Sequence, residues 1–155
     1  MRILRTLIVL CLFATPAYAQ LGIFTDPTTY TPAIIYSIAA QQDWRTSQVF
    51  FAHGWKETNP RFTKERTSPG TPVSYARGMG TIRGYSALVL AHSVVNNLAV
   101  GAVTLHLTKR WPHKRKLIKT LGWVEKVTFA SILTHSTSTP HFKQANLNRK
   151  LAKGL

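Results

Sequence analysis

The stretch from Gly84 to Thr108, GYSALVLAHSVVNNLAVGAVTLHLT, decides the fold because it contains no Asp, Glu, Lys or Arg. As a helix it measures about 37 Å, enough to cross a hydrocarbon core of about 30 Å. Its Leu and Val side chains favour insertion by roughly 3 to 6 kcal/mol in total. His92, Asn96 and Asn97 near its centre oppose insertion by about 1 to 3 kcal/mol each unless they are hydrogen-bonded. This candidate transmembrane helix therefore spans a bilayer only with partners, and the alternative is the core helix of a soluble protein.

A first helix is predicted before this stretch. Thr31 and Pro32 have the chemistry of a helix start, with a hydroxyl that caps the first turn and a proline where no amide hydrogen is needed. The helix is expected to run from about Ala33 to His53, and Gly54 suits the left-handed position just past its end.

The rest of the chain contains a segment rich in helix-breaking prolines and glycines, an amphipathic segment and a polar tail. Residues 55–83 combine prolines, glycines and six basic residues, which predicts a long exposed loop between the first two helices. A third, amphipathic helix is predicted from Leu117 to about His135. Its apolar stripe is formed by Leu117, Leu121, Val124, Thr128 and Ile132. Polar and basic residues from about 140 predict a flexible or weakly helical tail. The predicted fold is all-α, a small bundle of about three helices, one of them a candidate transmembrane helix.

The N-terminus has the pattern of a secretory signal peptide over residues 1–19. Arg2 and Arg5 precede an apolar run over residues 7–14, and Ala17 and Ala19 give the small-residue ending of a cleavage site. Cleavage would make Gln20 the first residue of an exported product, located in the inner membrane or periplasm. Residues 20–155 are expected to form a single small helical domain.

Composition limits the chemistry and the partners. The full chain has a formal charge of +15, and loss of Arg2 and Arg5 with the leader leaves 18 basic against 5 acidic residues, or +13. Such an excess predicts binding to membrane lipid headgroups or anionic cell-surface polymers, whereas nucleic acid is not an expected partner of an exported protein. The predicted anion-binding residues are Lys109, Arg110, Lys114, Arg115, Lys116 and Lys119. The single cysteine, Cys11, lies in the leader, so no disulfide or thiolate site is expected in the mature chain.

Polar residues of the helices predict one further cluster. His92, Asn96 and His106 share a face of the middle helix. Joined by Asp43 and His135, they form a predicted buried polar cluster, either a ligand site or the interhelical hydrogen bonds that hold membrane helices together. The sequence has no recognised catalytic, cofactor or metal motif. No enzymatic activity and no cofactor are therefore assigned.

The end of the first helix carries a family resemblance. Asp43, Thr46, Ser47, Gly54 and the run Glu57-Thr58-Asn59-Pro60 resemble a group of small, uncharacterised bacterial membrane proteins, in which a helix with Asp and Thr leads into a Gly, Glu-x-Asn-Pro turn. The resemblance implies a compact helical bundle in or on the membrane and no activity. Other membrane helices are expected partners of the candidate transmembrane helix. Arg45 and Asp43 argue against this first helix crossing a bilayer alone.

Two functional hypotheses remain. The first is an exported, cationic helical protein associated with the membrane, without an assigned enzymatic activity. The alternative is a soluble periplasmic or secreted cationic module that binds anionic polymers, whose binding would weaken steeply with added salt.

Overall fold

The computed structural model describes residues 22–23 and 25–154, so the predicted leader and its cleavage site lie outside the described residues. Within that part, the secondary structure is three long helices, with short 3-10 turns and no strand. We name the helices α1 (Pro27–Ala52), α2 (Tyr75–Arg110) and α3 (Arg115–Leu151). The turns are Pro60–Phe62, Pro112–Lys114 and Ala152–Gly154. The all-α prediction of a small three-helix bundle is confirmed.

The start of α1 lies earlier than the sequence predicts. Asp26 caps it, because the Asp26 Oδ1 atom accepts hydrogen bonds from the Thr28 amide at 3.0 Å and the Thr28 hydroxyl at 2.7 Å. Pro27 is the first helical residue, where its lack of an amide hydrogen has no cost. The Thr31–Pro32 pair therefore lies inside the helix, and the Thr31 hydroxyl donates to the Pro27 carbonyl at 2.8 Å.

The end of α1 agrees with the prediction for Gly54. Gly54 has a φ of 82°, and its amide donates to the Phe51 carbonyl at 3.1 Å. The Trp55 amide donates to the Phe50 carbonyl at 3.1 Å, and the Phe50 and Trp55 rings pack 5.2 Å apart. These contacts form a Schellman cap with its hydrophobic contact, which fixes where the chain leaves the helix.

The predicted loop over residues 55–83 is shorter and more ordered than expected. Glu57 and Gly70 exchange backbone hydrogen bonds of 3.0 and 2.9 Å, so the loop folds back on itself. From Tyr75 the chain is helical, and the prediction of irregular structure at Gly78 and Gly80 is wrong. A Cβ at Gly78 would overlap the Trp44 indole, so this glycine of α2 permits a close packing contact with Trp44 of α1.

The flexible tail expected from about residue 140 is instead the last part of α3, which contains Pro140 and ends at Leu151. Ala145 is fully buried. The Asn148 side-chain amide donates to the hydroxyls of Thr46 at 3.2 Å and Ser47 at 2.9 Å. Contacts with α1 therefore order a segment whose local composition predicts flexibility.

Internal contacts divide the chain into two compact units. Unit 1 comprises Met1–Pro32 and Val89–Leu133, and unit 2 comprises Ala33–Leu88 and Thr134–Leu155. Each unit therefore contains one part of every long helix. The single domain over residues 20–155 stays a prediction.

Candidate functional site

Unit 1 exposes the apolar face of α3. The large members of the predicted stripe are all exposed, namely Leu117, Leu121, Val124 and Ile132. Their spacing of three or four residues, or eight, places them on one side of the helix. In a water-soluble protein such a face normally packs against the core, and an exposed row of this kind marks an interaction or membrane surface.

The part of α2 in unit 1 exposes a second apolar face. Val95, Ala99 and Val103 follow one another at four-residue intervals and are exposed, Val103 to 57%. Among the described residues, α2 is the one helix long and apolar enough to cross a membrane, and 22% of its most apolar window is buried. A soluble core helix would be mostly buried, so the small buried share disfavours that alternative for α2.

Polar side chains occupy the interior of unit 1. Asn97 is almost fully buried, and its side-chain amide donates to the hydroxyls of Thr28 at 2.9 Å and Thr29 at 2.8 Å. Ser93, one turn earlier, is also buried and donates to the Val89 carbonyl at 3.3 Å. The hydrogen bonds remove most of the cost, about 1 to 3 kcal/mol, of an unpaired buried amide. The polar centre of α2 is therefore satisfied by the first turn of α1.

Charged side chains of α3 are also paired within unit 1. Lys126 Nζ lies 2.9 Å from Asp26 Oδ2, and both side chains are mostly buried. Burial raises the pKa of Asp26, but hydrogen bonds from Lys126 and Thr28 outweigh this effect, so its pKa lies below the usual value. The Asn96 side-chain amide donates to the Glu125 carboxylate at 3.3 Å. Lys126 thus has a partner inside unit 1, whereas the hydrogen bond of Glu125 lies at an exposed position.

Small residues bring α2 and α3 together in unit 1. A Cβ added at Gly122 would overlap the Thr104 hydroxyl and lie 3.5 Å from Val100 Cγ1. This glycine lets the two helices approach closely, as small residues do between membrane helices.

A cationic cleft lies where these two helix segments meet the turn between them. It has a volume of about 590 Å³, and Lys109, Arg115 and Lys119 line it together with Trp123 and Lys126. No acidic side chain is among the described residues that line it. Three of the six predicted anion-binding residues therefore share one cleft. The other three, Arg110, Lys114 and Lys116, are exposed outside it, and the Arg110 guanidinium lies 5.4 Å from the centre of the Trp111 ring.

Unit 2 has an aromatic core. Trp44 is 4% exposed and packs on Phe51 and Phe62, with ring centroids 5.5 and 5.0 Å apart. The indole nitrogen donates to the Tyr75 carbonyl at 3.1 Å, and the indole lies against Gly78. One side chain thus joins α1, the loop and the start of α2 within this unit.

A polar cavity of about 490 Å³ also belongs to unit 2. At its wall, His141 Nδ1 lies 2.7 Å from Asp43 Oδ2, and the His141 ring packs edge-on against Tyr36 at 5.6 Å. Glu57 and Asn59 line the same cavity, and Glu57 Oε1 accepts from the Asn59 amide at 2.7 Å. Asn59 in turn caps the 3-10 turn that Pro60 begins. The residues that carry the family resemblance thus stabilise one corner of unit 2, and the resemblance itself stays a prediction.

The predicted buried polar cluster is wrong as a buried site. His92, His106 and His135 are exposed. Asn96 is partly buried against Glu125, and Asp43 is paired with His141. The buried polar residue of α2 is Asn97, because the helix turns that side toward Thr28 and Thr29 and turns the histidine face outward.

Sequence reasoning missed several polar contacts. His141 and Asn148 lie in the segment that its composition predicts to be flexible, and a flexible segment predicts no fixed partner for either side chain. Asp26 and Lys126 are separated by 100 positions, and nothing in their local sequence indicates the pair. Among residues 22–23 and 25–154, no group of three or more His, Cys, Asp or Glu side chains is placed to hold a metal ion.

No protein-family model matches this chain, and no curated protein or solved structure matches it at a significant level. The function is therefore inferred from the residues of the two units.

Proposed function

We propose that this chain is an exported membrane protein with a structural or interaction role, embedded through residues 89–133. The observation that carries the proposal is the arrangement of unit 1, with hydrogen-bonded Asn97 and the Asp26–Lys126 pair inside and apolar faces of α2 and α3 outside. A bilayer would cover the exposed aliphatic faces of α2 and α3, and the hydrogen bonds of Asn97 satisfy its buried amide as hydrocarbon requires.

Helix lengths support the same proposal. The α2 segment over residues 89–110 measures about 33 Å, enough to cross a hydrocarbon core of about 30 Å, and the α3 segment after Lys119, residues 120–133, measures about 21 Å. Trp111 and the basic residues of the turn between them have the composition found at the interface end of membrane helices. The signal-peptide pattern over residues 1–19 supports export.

Fractionation of cells that express the chain with a C-terminal tag tests the proposal. Membranes are washed with alkaline carbonate and separately with 1 M salt, at which the screening length is about 3 Å. Retention in the membrane pellet after both washes is expected. Release by salt would contradict embedding and favour the alternative, a soluble cationic module bound through residues 109–119. Mass spectrometry of the tagged product should find Gln20 at its N-terminus.

A pair of matched substitutions makes the test specific. Val103→Asp places a charge on the exposed face of α2, where insertion scales give a cost of about 3 kcal/mol. Val49→Asp makes the same change on α1 in unit 2, at a side chain that is 42% exposed and one turn after exposed Arg45. We expect V103D to lower the carbonate-resistant fraction several-fold and V49D to leave it unchanged. Equal retention of both variants would contradict a lipid-facing Val103.

A further inference from the structure

The cationic cleft of unit 1 has a composition that membrane embedding alone does not require. Lys109 comes from the last turn of α2, and Arg115 and Lys119 come from the first two turns of α3. Residues 115 and 119 are one helical turn apart, so their side chains share a face. Three exposed cationic side chains thus line one cleft of about 590 Å³.

The charge of the cleft is not compensated by the described residues. Lys126, the fourth cation of the lining, is paired with Asp26. Lys109, Arg115 and Lys119 have no carboxylate among the lining residues. Like charges gathered around a partly enclosed space repel one another, and an anion placed between them relieves the repulsion. The cleft is therefore complementary to a small anionic group such as a phosphate.

The remaining lining distinguishes a lipid from a free anion. Thr104 and Thr108 supply hydroxyl groups, whereas Leu105 and Trp123 supply apolar surface, and the Trp123 side chain is 62% exposed. A ligand with a phosphate and attached acyl chains matches both parts of this surface, whereas inorganic phosphate matches only the first.

We propose that this cleft binds the phosphate of an anionic glycerophospholipid, with Lys109, Arg115 and Lys119 as its cationic ligands. The inference rests on the proposed membrane embedding and names the lipid class that unit 1 selects. Basic pockets between membrane helices are a known way to hold acidic headgroups.

Native mass spectrometry of the processed chain in non-ionic detergent tests the proposal. The probes are phosphatidylglycerol, phosphatidylcholine and inorganic phosphate. The unaltered chain should retain one phosphatidylglycerol at concentrations where neither other probe stays bound. The double variant R115Q/K119Q should weaken this binding by about tenfold or more. The matched control K114Q/K116Q removes the same charge from the same segment but outside the cleft, and should weaken binding less than about threefold.

Each result decides the matter. Equal weakening by both double variants would show general charge attraction and overturn the site, as would equal binding of phosphatidylcholine. Binding of inorganic phosphate as tightly as phosphatidylglycerol would show a free-anion site and overturn the lipid assignment. Circular dichroism of each variant checks that helicity is kept. Carbonate resistance of R115Q/K119Q separates the two proposals, because loss of lipid selectivity with retention in membranes would overturn only the headgroup site.

Discussion

The two units use tryptophan in opposite ways. Trp44 in unit 2 is 4% exposed, with aromatic rings and a glycine packed around it, whereas Trp123 in unit 1 is 62% exposed beside a cationic cleft. The interior of unit 1 combines Asn97, Ser93 and an ion pair with the buried side chains of Ile23, Val89 and Leu98, while the apolar stripe of α3 lies outside. The same three helices therefore contribute to an aromatic core in unit 2 and to a partly polar interior with exposed apolar faces in unit 1.

This difference shows that an amphipathic pattern identifies a face of a helix and not the direction in which that face points. The stripe from Leu117 to Ile132 has the period of a helix that covers a soluble core, yet it is exposed. The direction follows from the other side of α3, where Gly122 and Lys126 have partners that only the interior of unit 1 provides.

Exchange of each tryptophan for alanine gives the largest expected contrast. Trp44→Ala leaves a cavity in unit 2 and should lower the free energy of unfolding by about 3 to 5 kcal/mol. Trp123→Ala removes a mostly exposed side chain and should change it by less than about 1 kcal/mol. Denaturant titration in detergent micelles, followed by circular dichroism, measures both. Similar losses for the two variants would contradict the contrast between the units.

A pair of glycine substitutions sharpens the account of unit 2. Gly78→Ala directs a methyl group into the Trp44 indole and should cost about 1 to 3 kcal/mol of unfolding free energy. Gly80→Ala meets open space in the same helix and should increase it by about 0.5 to 1 kcal/mol. Thermal unfolding of the two variants compares them. A stabilised G78A chain would show that the indole does not pack there.

Loss of the buried amide tests the polar interior of unit 1. Asn97→Ala removes the hydrogen bonds to Thr28 and Thr29 and should cost about 0.6 to 2 kcal/mol. Asn146→Ala is the control, because that side chain is exposed and accepts a hydrogen bond from the Arg149 guanidinium at 3.0 Å within α3. Hydrogen exchange measured by mass spectrometry should show faster exchange in residues 27–32 and 89–110 for N97A alone. Unchanged exchange there would argue against the buried amide as a support of unit 1.

Acid should weaken unit 1 by a smaller amount. Burial raises the pKa of Asp26, but the hydrogen bonds from Lys126 and Thr28 together lower it by more, so the net shift is downward. Stability from a carboxyl with a lowered pKa is present above its unfolded pKa and is lost as the pH falls through its folded pKa. We expect local protection of residues 115–133 to fall as the pH is lowered through and below 3.8, the ordinary pKa of this carboxyl. The D26N chain should lack this pH dependence, and an unchanged profile in D26N would assign the acid effect to other groups.

Features that depend on residues close together in the sequence, such as helix ends and apolar stretches, could be predicted. Gly54 ends α1 as expected because a left-handed residue is required there. The start of α1 was predicted at Thr31 and Pro32 from their capping chemistry, but Asp26 and Pro27 have the same chemistry earlier in the chain and form the actual start. The charge-free stretch from Gly84 correctly indicated a long apolar helix.

Contacts between distant residues determined the parts that the sequence did not predict. Gly78 and Pro140 are residues that usually interrupt helices, yet both lie within one. Trp44 packs on Gly78, and the contacts of His141 and Asn148 with α1 order the segment after Pro140. The histidines at 92 and 106 were correctly placed with one face of a helix, but whether that face is buried depends on which side of α2 meets a partner. The three cationic residues that share the cleft and the three outside it have the same composition and lie in the same segment, so only the folded turn separates them.

Spin-label accessibility at one position tests the central claim most directly. Cys11 is the single cysteine and lies in the predicted leader, so Leu121→Cys gives a mature chain with one thiol. After reconstitution in vesicles, a nitroxide at position 121 should collide often with oxygen, which concentrates in lipid, and rarely with a water-soluble nickel chelate. The control Lys64→Cys, in the exposed loop, should show the reverse. Nickel accessibility at position 121 equal to that at position 64 would show that the apolar face of unit 1 meets water and would contradict membrane embedding.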